Sequence, residues 1–391
     1  MSSASTRRGA IVLRQRWSRG QVEARLANMP PCLIGMEACV GAHHLSRRLH
    51  SQGHDARLMP AKYVRPYSKG QKNDFRDAEA IAEAVQRPTM SFVATKTADQ
   101  LDLQALHRVR ERLVSQRTGI INQIRAFLLE RVAVRQGLRF LRAELPIILA
   151  TRSDVLSPPM LRIIEELAGD WRRLDERIEG LSKEIEALAR QDLACERLMT
   201  VPGIGPIISS AMVAAIGNGA VFAKGRDFGA CLGLVPKQIS TGDRTILGAI
   251  SRRGNRYLRA LFVQAAWVVL VRIKDWDRYG LKAWIDAAKK RLHHNVLAIA
   301  LANKLARIAW AVLNRGPRVR MREDARDGVP TCMSVAQCSE PSRPSPAGGH
   351  TERPVLTALR AVPRSNCRPG RRNGPNGTNK GTAPKRKIAI M

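Results

Sequence analysis

An α/β domain followed by a long run of helices is the fold class that this sequence predicts. Three patterns predict it. Up to about residue 96, short apolar runs alternate with helix-like stretches, which implies strands and helices around a sheet. Between residues 164 and 188, apolar residues recur in steps of three and four, a heptad seam. Beyond residue 196, a Pro-Gly-hydrophobic-Gly turn leads into apolar helices.

Length and charge bound the answer first. At 391 residues the chain has room for two or three domains. Its 44% hydrophobic content is ordinary for a globular core, but its net charge of +33 is not. A field of that sign favours a polyanion, nucleic acid before a membrane surface. No apolar run approaches the length a bilayer needs, and Met1 to Gly20 is polar and Arg-rich rather than a signal peptide. That Arg-rich start also has the composition of an organelle transit peptide, a weaker reading than a strand. The seven cysteines (Cys32, Cys39, Cys195, Cys231, Cys332, Cys338 and Cys367) form no CxxC pair and meet no histidines at zinc spacing. They read as reduced thiols of a cytoplasmic protein. The neighbours His43 and His44, and His293 and His294, read as structural or surface residues whose side chains diverge, not as ligands.

Taken in order, Arg8-Gly9 suggests a turn and Ala10 to Trp17 a strand. Gln21 to Met29 is a short helix. Cys32 to Ala38 is a compact apolar run ending on Glu37, the pattern of a buried strand. Ala42 to Gln52 is a helix stopped by Gly53, and Asp55 to Pro60 another strand. A basic loop with Lys62, Arg65, Lys69 and Lys72 then enters a helix at Asn73. Asp74 and Asp77 stand three apart there, on one face. Alone, they read as a solvated acidic first turn favoured by the helix dipole. A divalent cation would turn their repulsion into attraction, since Mg²⁺ takes hard oxygen ligands.

From Thr97 the period becomes helical, with Leu106, Val109, Leu113, Ile120, Ile124 and Phe127 on one face. After the break at Ser157-Pro158-Pro159 comes the seam itself: Ile164, Leu167, Trp171, Leu174, Ile178, Leu181, Ile185 and Leu188. It suits a helical hairpin within the chain or a contact between copies, and the sequence does not choose. The turn Pro202-Gly203-Ile204-Gly205 before the small-residue helix Ile207 to Ile216 has the form of a helix-hairpin-helix. Its glycines admit a close backbone approach, and N–H groups at the second helix's start can meet a phosphate. An ordinary tight helix–helix turn has the same spelling. Further on, Ser251 stands among Arg252, Arg253, Arg256 and Arg259 at a loop-to-helix junction, close to Asn255. Arginines clamp phosphates in bidentate fashion and ease formation of an alkoxide nearby. The plainer reading makes Ser251 a helix cap and the arginines phosphate holders, and residue chemistry alone favours it. Leu261 to Val271 and Val296 to Leu313 close the domain as apolar helices. Past about Arg315 the periodicity ends, and a Pro/Gly/Ser/Arg-rich stretch reads as a disordered basic tail.

Four of these segments occur in one order: Ile34-Gly35-Met36-Glu37-Ala38, then Lys72-Asn73-Asp74 with Asp77-Ala78-Glu79-Ala80, then the Pro202–Gly205 turn, then Ile250 to Arg259. Together the chain resembles the DEDD transposases of bacterial insertion sequences (the IS-one-ten family, IS-eleven-eleven branch) from about Arg8 to Arg315. The resemblance implies a RuvC-like, ribonuclease-H-type domain over 8–96, a coiled-coil or helical hairpin over 97–195, and a C-terminal transposase domain over 196–315. The basic tail of 316–391 follows. It implies a Mg²⁺ site at Glu37, Asp74 and Asp77, and a nucleophilic serine at Ser251. The candidates for holding nucleic acid are Gly203, Gly205, Lys237, Arg252, Arg253, Asn255, Arg256 and Arg259. Partners implied are the DNA of element ends and target, a structured guide RNA, and further copies of the chain through the coiled coil. One departure stands out. The family's first Asp lies on the first strand of the sheet, yet Met1 to Gln21 holds no acid and the first is Glu23. The expectation is a copy lacking that strand, with a gap in the sheet, three carboxylates and no activity as it stands. Two other functions stay open: a nucleic-acid-binding protein without catalysis, and a structure-specific nuclease that needs the acids but not Ser251.

Overall fold

Along the chain, an N-terminal sheet is followed by two long antiparallel helices and then by a helical part. The computed structural model describes residues 2–5, 11–68, 73–151, 154–273, 275–315 and 388–390. The chain divides into two units, Met1–Ser334 with Arg386–Met391, and Val335–Lys385. The second unit and most of the expected basic tail lie outside the described residues, as do the Arg8-Gly9 turn, Lys69 and Lys72.

The sheet domain follows the predicted alternation. It runs β1 (Ser2–Ser5), β2 (Ile11–Gln15), α1 (Arg19–Ala27), β3 (Leu33–Glu37), α2 (Ala42–Ser51), β4 (Asp55–Met59), α3 (Ala61–Val64) and α4 (Asp74–Val85). β3 and β4 pair in parallel, from Leu33 opposite Asp55 to Glu37 opposite Met59. β1 and β2 form an antiparallel pair. The expected gap between these pairs is filled, which corrects the sequence reading. The strand Ile388–Ile390, antiparallel to β3 and parallel to β1, completes a five-stranded sheet. An open edge of N–H and C=O groups is a pairing template, and the chain's own last strand uses it. Ile34 and Met36 are buried with Leu45, Leu49 and Leu58 beneath α2. Gly35 has a packing reason: a Cβ there would stand 3.0 Å from both Ile81 Cγ2 and Val85 Cβ. Its absence lets α4 lie close against β3.

α5 (Ala98–Leu129) opens on a capping box of Thr97 and Gln100. α6 (Leu138–Thr151) contains Pro146 and was not foreseen. α7 (Pro158–Gln191) starts at the predicted break, with proline in its first turn. Arg110 Nε donates to Ser182 Oγ (2.8 Å) and Arg117 Nη1 to Asp175 Oδ1 (3.0 Å), so α5 and α7 run antiparallel. Half of the seam closes inside the chain: Ile164, Trp171, Ile178 and Ile185 are buried, seven residues apart. The α5 stripe needs correcting. His107, Ile121 and Leu128 form the buried column with Leu113 and Ile124, whereas Val109 is 45% exposed.

The helical part comprises α8 (Leu193–Met199), α9 (Pro206–Ile216), α10 (Gly225–Cys231), the hairpin β5 (Pro236–Thr241) and β6 (Arg244–Ile250), α11 (Arg256–Val271), α12 (Lys282–Lys289) and α13 (His294–Arg315). β7 is the strand Ile388–Ile390. Phe228 and Phe262 are fully buried and meet edge to face with ring centres 6.0 Å apart. Burying each contributes roughly 2–3 kcal/mol. His294–Asn314 is long and apolar enough to cross a bilayer, contrary to the sequence reading, but 56% of its apolar window is buried in the protein, as in a core helix. The His293 and His294 rings do not diverge; they stand 3.9 Å apart, because α13 begins only at His294.

Candidate functional site

The acidic half of the predicted site is built by one strand and one helix. β3 ends on Glu37, and α4 begins on Asp74. Asn73 caps α4 by accepting the Phe75 N–H at 2.9 Å. Asp74 and Asp77 sit in its first turn, half-buried, where the helix dipole favours negative charge. Asp77 also accepts from Ser68 Oγ at 3.3 Å. As a donor set, Glu37, Asp74 and Asp77 suit a hard divalent cation. As an arrangement they do not: among the described residues no group of three or more His, Cys, Asp or Glu side chains is placed to hold a metal ion.

The serine half is far more constrained. Ser251, half-buried, follows β6 in a mostly exposed loop that lies along the α10–β5 turn. The Ser251 N–H donates to Val235 O (2.8 Å), Arg252 N–H to Gly233 O and Asn255 N–H to Cys231 O (3.1 Å each). The two backbones touch so closely that a Cβ on Gly254 would lie 1.8 Å from Cys231 O, and one on Gly233 2.1 Å from Arg253 O. Both glycines have positive φ. Arg252 does too, at +53°, the one such non-glycine among the described residues. That conformation costs about 1 kcal/mol for a side chain with a Cβ. The Arg252, Arg253 and Arg256 side chains are exposed, and Ser251 is half-buried.

Two expectations change here. The helix cap is Asn255, whose Oδ1 accepts the Leu258 N–H at 3.1 Å; Ser251 caps nothing. Arg259 turns inward and donates to Leu232 O at 2.8 Å, so it fastens α11 to the turn. The Pro202–Gly205 turn is also put to another use. A Cβ on Gly203 would meet Ala265 O at 2.6 Å, so this glycine admits α11. At the start of α9, Pro206 has no N–H, and the Ile208 and Ser209 N–H groups both turn to Gly205 O at 3.0 Å. Only Gly205 faces open space.

One feature of this half was not foreseen. His107 of α5 is buried; its Nδ1 lies 3.0 Å from Tyr257 Oη and its Nε2 3.0 Å from Ser210 Oγ. Ser210 Oγ donates onward to Pro206 O (2.6 Å). The consistent pattern runs one way: Tyr257 O–H to Nδ1, Nε2–H to Ser210, Ser210 O–H to the carbonyl. Burial, with Arg110 nearby, pushes the His107 pKa down to about 4, so the ring is neutral as this pattern requires. The chain ties α5, α9 and α11 together beneath the serine loop. It borders a cleft of about 250 Å³, lined in part by Gln104, Arg108, Glu111 and Asn255. The seven-residue spacing of His107, Val114, Ile121 and Leu128 is the signal that marks His107 as inward-facing. Among the described residues, Cys32, Cys39, Cys195 and Cys231 form no disulfides.

Two family models cover the regions that carry these two halves. A profile of DEDD transposases of IS110 type matches residues 16–132, and one described as "Transposase IS116/IS110/IS902 family" matches residues 195–281. The chain is therefore a DNA transposase, an enzyme class that acts by recombining DNA. The transposase for insertion sequence element IS1328 of Yersinia enterocolitica is 42% identical over 311 residues, 79% of this chain and 91% of that protein. The transposase for insertion sequence element IS1111A of Coxiella burnetii is 38% identical over 309 residues, 78% of this chain and 84% of that protein. The chain belongs to the IS110 family of insertion-sequence DEDD transposases. Such a domain implies a ribonuclease-H-like fold that takes a divalent metal, and the family implies DNA as partner.

Proposed function

We propose that Ser251 is the nucleophile of DNA strand exchange. Its Oγ attacks a backbone phosphorus; the Oγ–P bond forms as the bond from phosphorus to the departing strand's oxygen breaks, and the serine proton passes to that oxygen through solvent. Arg252, Arg253 and Arg256 hold the phosphate, and Lys237, Gly205 and Asn255 extend the nucleic-acid face. The observation that carries this reading is the seating of Ser251: its backbone is tied to Val235, and Arg252, Arg253 and Arg256, within five residues of it, are exposed.

Glu37, Asp74 and Asp77 are the carboxylates by which the sheet domain takes a cation, Mg²⁺ by the hardness of its ligands. Among the described residues the three carboxylates are not placed as one metal-holding group. A structured RNA guides the choice of DNA, which the charge of +33 accommodates. Copies associate through α7: Leu167, Leu174 and Leu181 remain half-buried and Leu188 41% exposed, a second apolar column beside the closed one. The chain works in the cytoplasm, with its domains divided at about residues 96, 195 and 315.

The dispersed carboxylates also favour a second reading, in which this chain binds DNA without exchanging strands. Residues 1–36 hold Glu23 as their one acid, so they offer no counterpart of the family's first Asp. Incubation with element-end DNA and Mg²⁺, quenched in detergent, decides between the two. A protein–DNA adduct lost in Ser251→Ala, with binding kept within about threefold, supports the first reading. An adduct surviving in Ser251→Ala overturns it, and binding without any adduct establishes the second.

A further inference from the structure

Among the described residues, the β5–β6 hairpin packs chiefly on itself. Every residue from Pro236 to Ala249 is exposed, Ile239 and Leu247 at 63% and Ile246 at 47%. Ile239 pairs directly across from Ile246, which places both on one face, with Thr241 and Arg244 beyond them. The other face carries Gln238, Ser240 and Thr245 in a polar ladder, with Leu247 opposite Gln238, and Gln238 Nε2 donates to Ser240 Oγ at 2.8 Å. Gly242, with φ +54°, heads the two-residue turn, the position where a type II′ hairpin takes glycine. A lone two-stranded ribbon is marginally stable in water, and exposed large aliphatic pairs mark a contact surface.

Charge and position say what that contact is. From Pro236 to Arg256 the cations are Lys237, Arg244, Arg252, Arg253 and Arg256, and the one acid is Asp243. The ribbon also stands on the serine loop. It leaves at Val235 and returns at Ser251, and the Ser251 N–H···Val235 O bond of 2.8 Å closes its base. A two-stranded ribbon is the width that a duplex groove admits. Aliphatic side chains carried into a groove act as wedges between base steps.

We propose that this ribbon enters a groove of the DNA beside the phosphate that Ser251 attacks, and presses Ile239 and Ile246 against the bases to unstack a step there. The inference rests on the DNA reading above. Lys237 and Arg244 hold the flanking phosphates, while the aliphatic pair supplies the deformation. Positive charge at the base of the ribbon argues against a second, equally basic copy as its occupant.

The test uses the full chain and a linear duplex of the element's end, with 2-aminopurine stepped along it. Binding raises fluorescence about twofold or more at one or two adjacent positions. In Ile239→Thr with Ile246→Thr, both exposed and still β-branched, the rise disappears, while affinity stays within about fivefold and the salt slope is unchanged. Unaltered thermal unfolding shows that the variant is folded. Binding with no fluorescence rise at any position overturns the wedge and spares the DNA reading. No binding overturns both. A rise that persists in the variant, together with a fall in its mass by sedimentation velocity, assigns the ribbon to a contact between copies instead.

Discussion

The serine loop and the acidic helix, the two halves of the proposed reaction site, are held in opposite ways. Around Ser251, three backbone hydrogen bonds and two glycines at van der Waals limits leave the chain no alternative path. Around Asp74 and Asp77, the helix is well capped, but the carboxylates it presents are not gathered with others into a metal-holding group. The difference is physical. Neutral amide groups gain by closing on each other within the free chain, whereas like charges gather only when a cation supplies the attraction. One half is preorganised by its own sequence; under the proposed reading, the other is gathered by its cation.

The largest effect should come from the glycines of the serine loop. Gly254→Ala puts a Cβ 1.8 Å from Cys231 O at a backbone φ of +95°. It should lower stability by roughly 3 kcal/mol or more, seen as a large fall in the midpoint of thermal unfolding. Gly35→Ala, on the acidic side, meets side chains at 3.0 Å that can yield. It should cost about 1–2 kcal/mol. Equal losses would mean that the serine loop is no more constrained than the sheet.

Next is the His107 brace. Its pKa is about 4 in the folded chain against an ordinary 6.5, so the unfolded chain binds protons more readily between those values. Its contribution is therefore complete above pH 6.5 and is lost as pH falls toward 4, about 3 kcal/mol at 1.36 kcal/mol per unit. His43, beside Lys96 and Arg47 in the sheet domain, is lowered to about 4 as well, chiefly by burial. His107→Gln should thus flatten the pH dependence of unfolding between 6.5 and 4 without abolishing it. An unchanged slope would remove the brace from the account.

How much of this was legible depends on how local the cause is. Strands β2 to β4, α4 and the start of α7 could be read from apolar runs, Asn73 and the Ser157-Pro158-Pro159 break, because their causes lie within a few residues. The ribbon was missed although Gly242-Asp243 sits between Gln-Ile-Ser-Thr and Arg-Thr-Ile-Leu, an alternation too short to stand out from loop sequence. Pro146 concealed α6, since an interior proline reads as a breaker. The buried column of α5 runs through His107 and is flanked by Arg110 and Arg117, so counting apolar residues set the stripe one position off. The pairing of Ile388–Ile390 with β3 spans almost the whole chain, and no local pattern encodes such a register. At the site, residue types pointed to Ser251 and the carboxylates, but only tertiary contacts showed which arginine faces solvent.

That last distinction gives the finest test of the comparison. Arg256 and Arg259 lie one turn apart on α11, and in sequence they are alike. Arg256 is exposed beside Ser251, while Arg259 is spent on Leu232 O at 2.8 Å. Arg256→Ala should leave unfolding unchanged, weaken DNA binding by about 1 kcal/mol and reduce the salt slope by about one. Arg259→Ala should do the reverse. It should lower stability by about 1–2 kcal/mol, the cost of stripping a charged donor from a buried carbonyl, and leave the salt slope as it was. If both variants lose a phosphate contact alike, the serine loop is shaped by DNA as the acidic helix is by its cation, and the contrast between the halves fails.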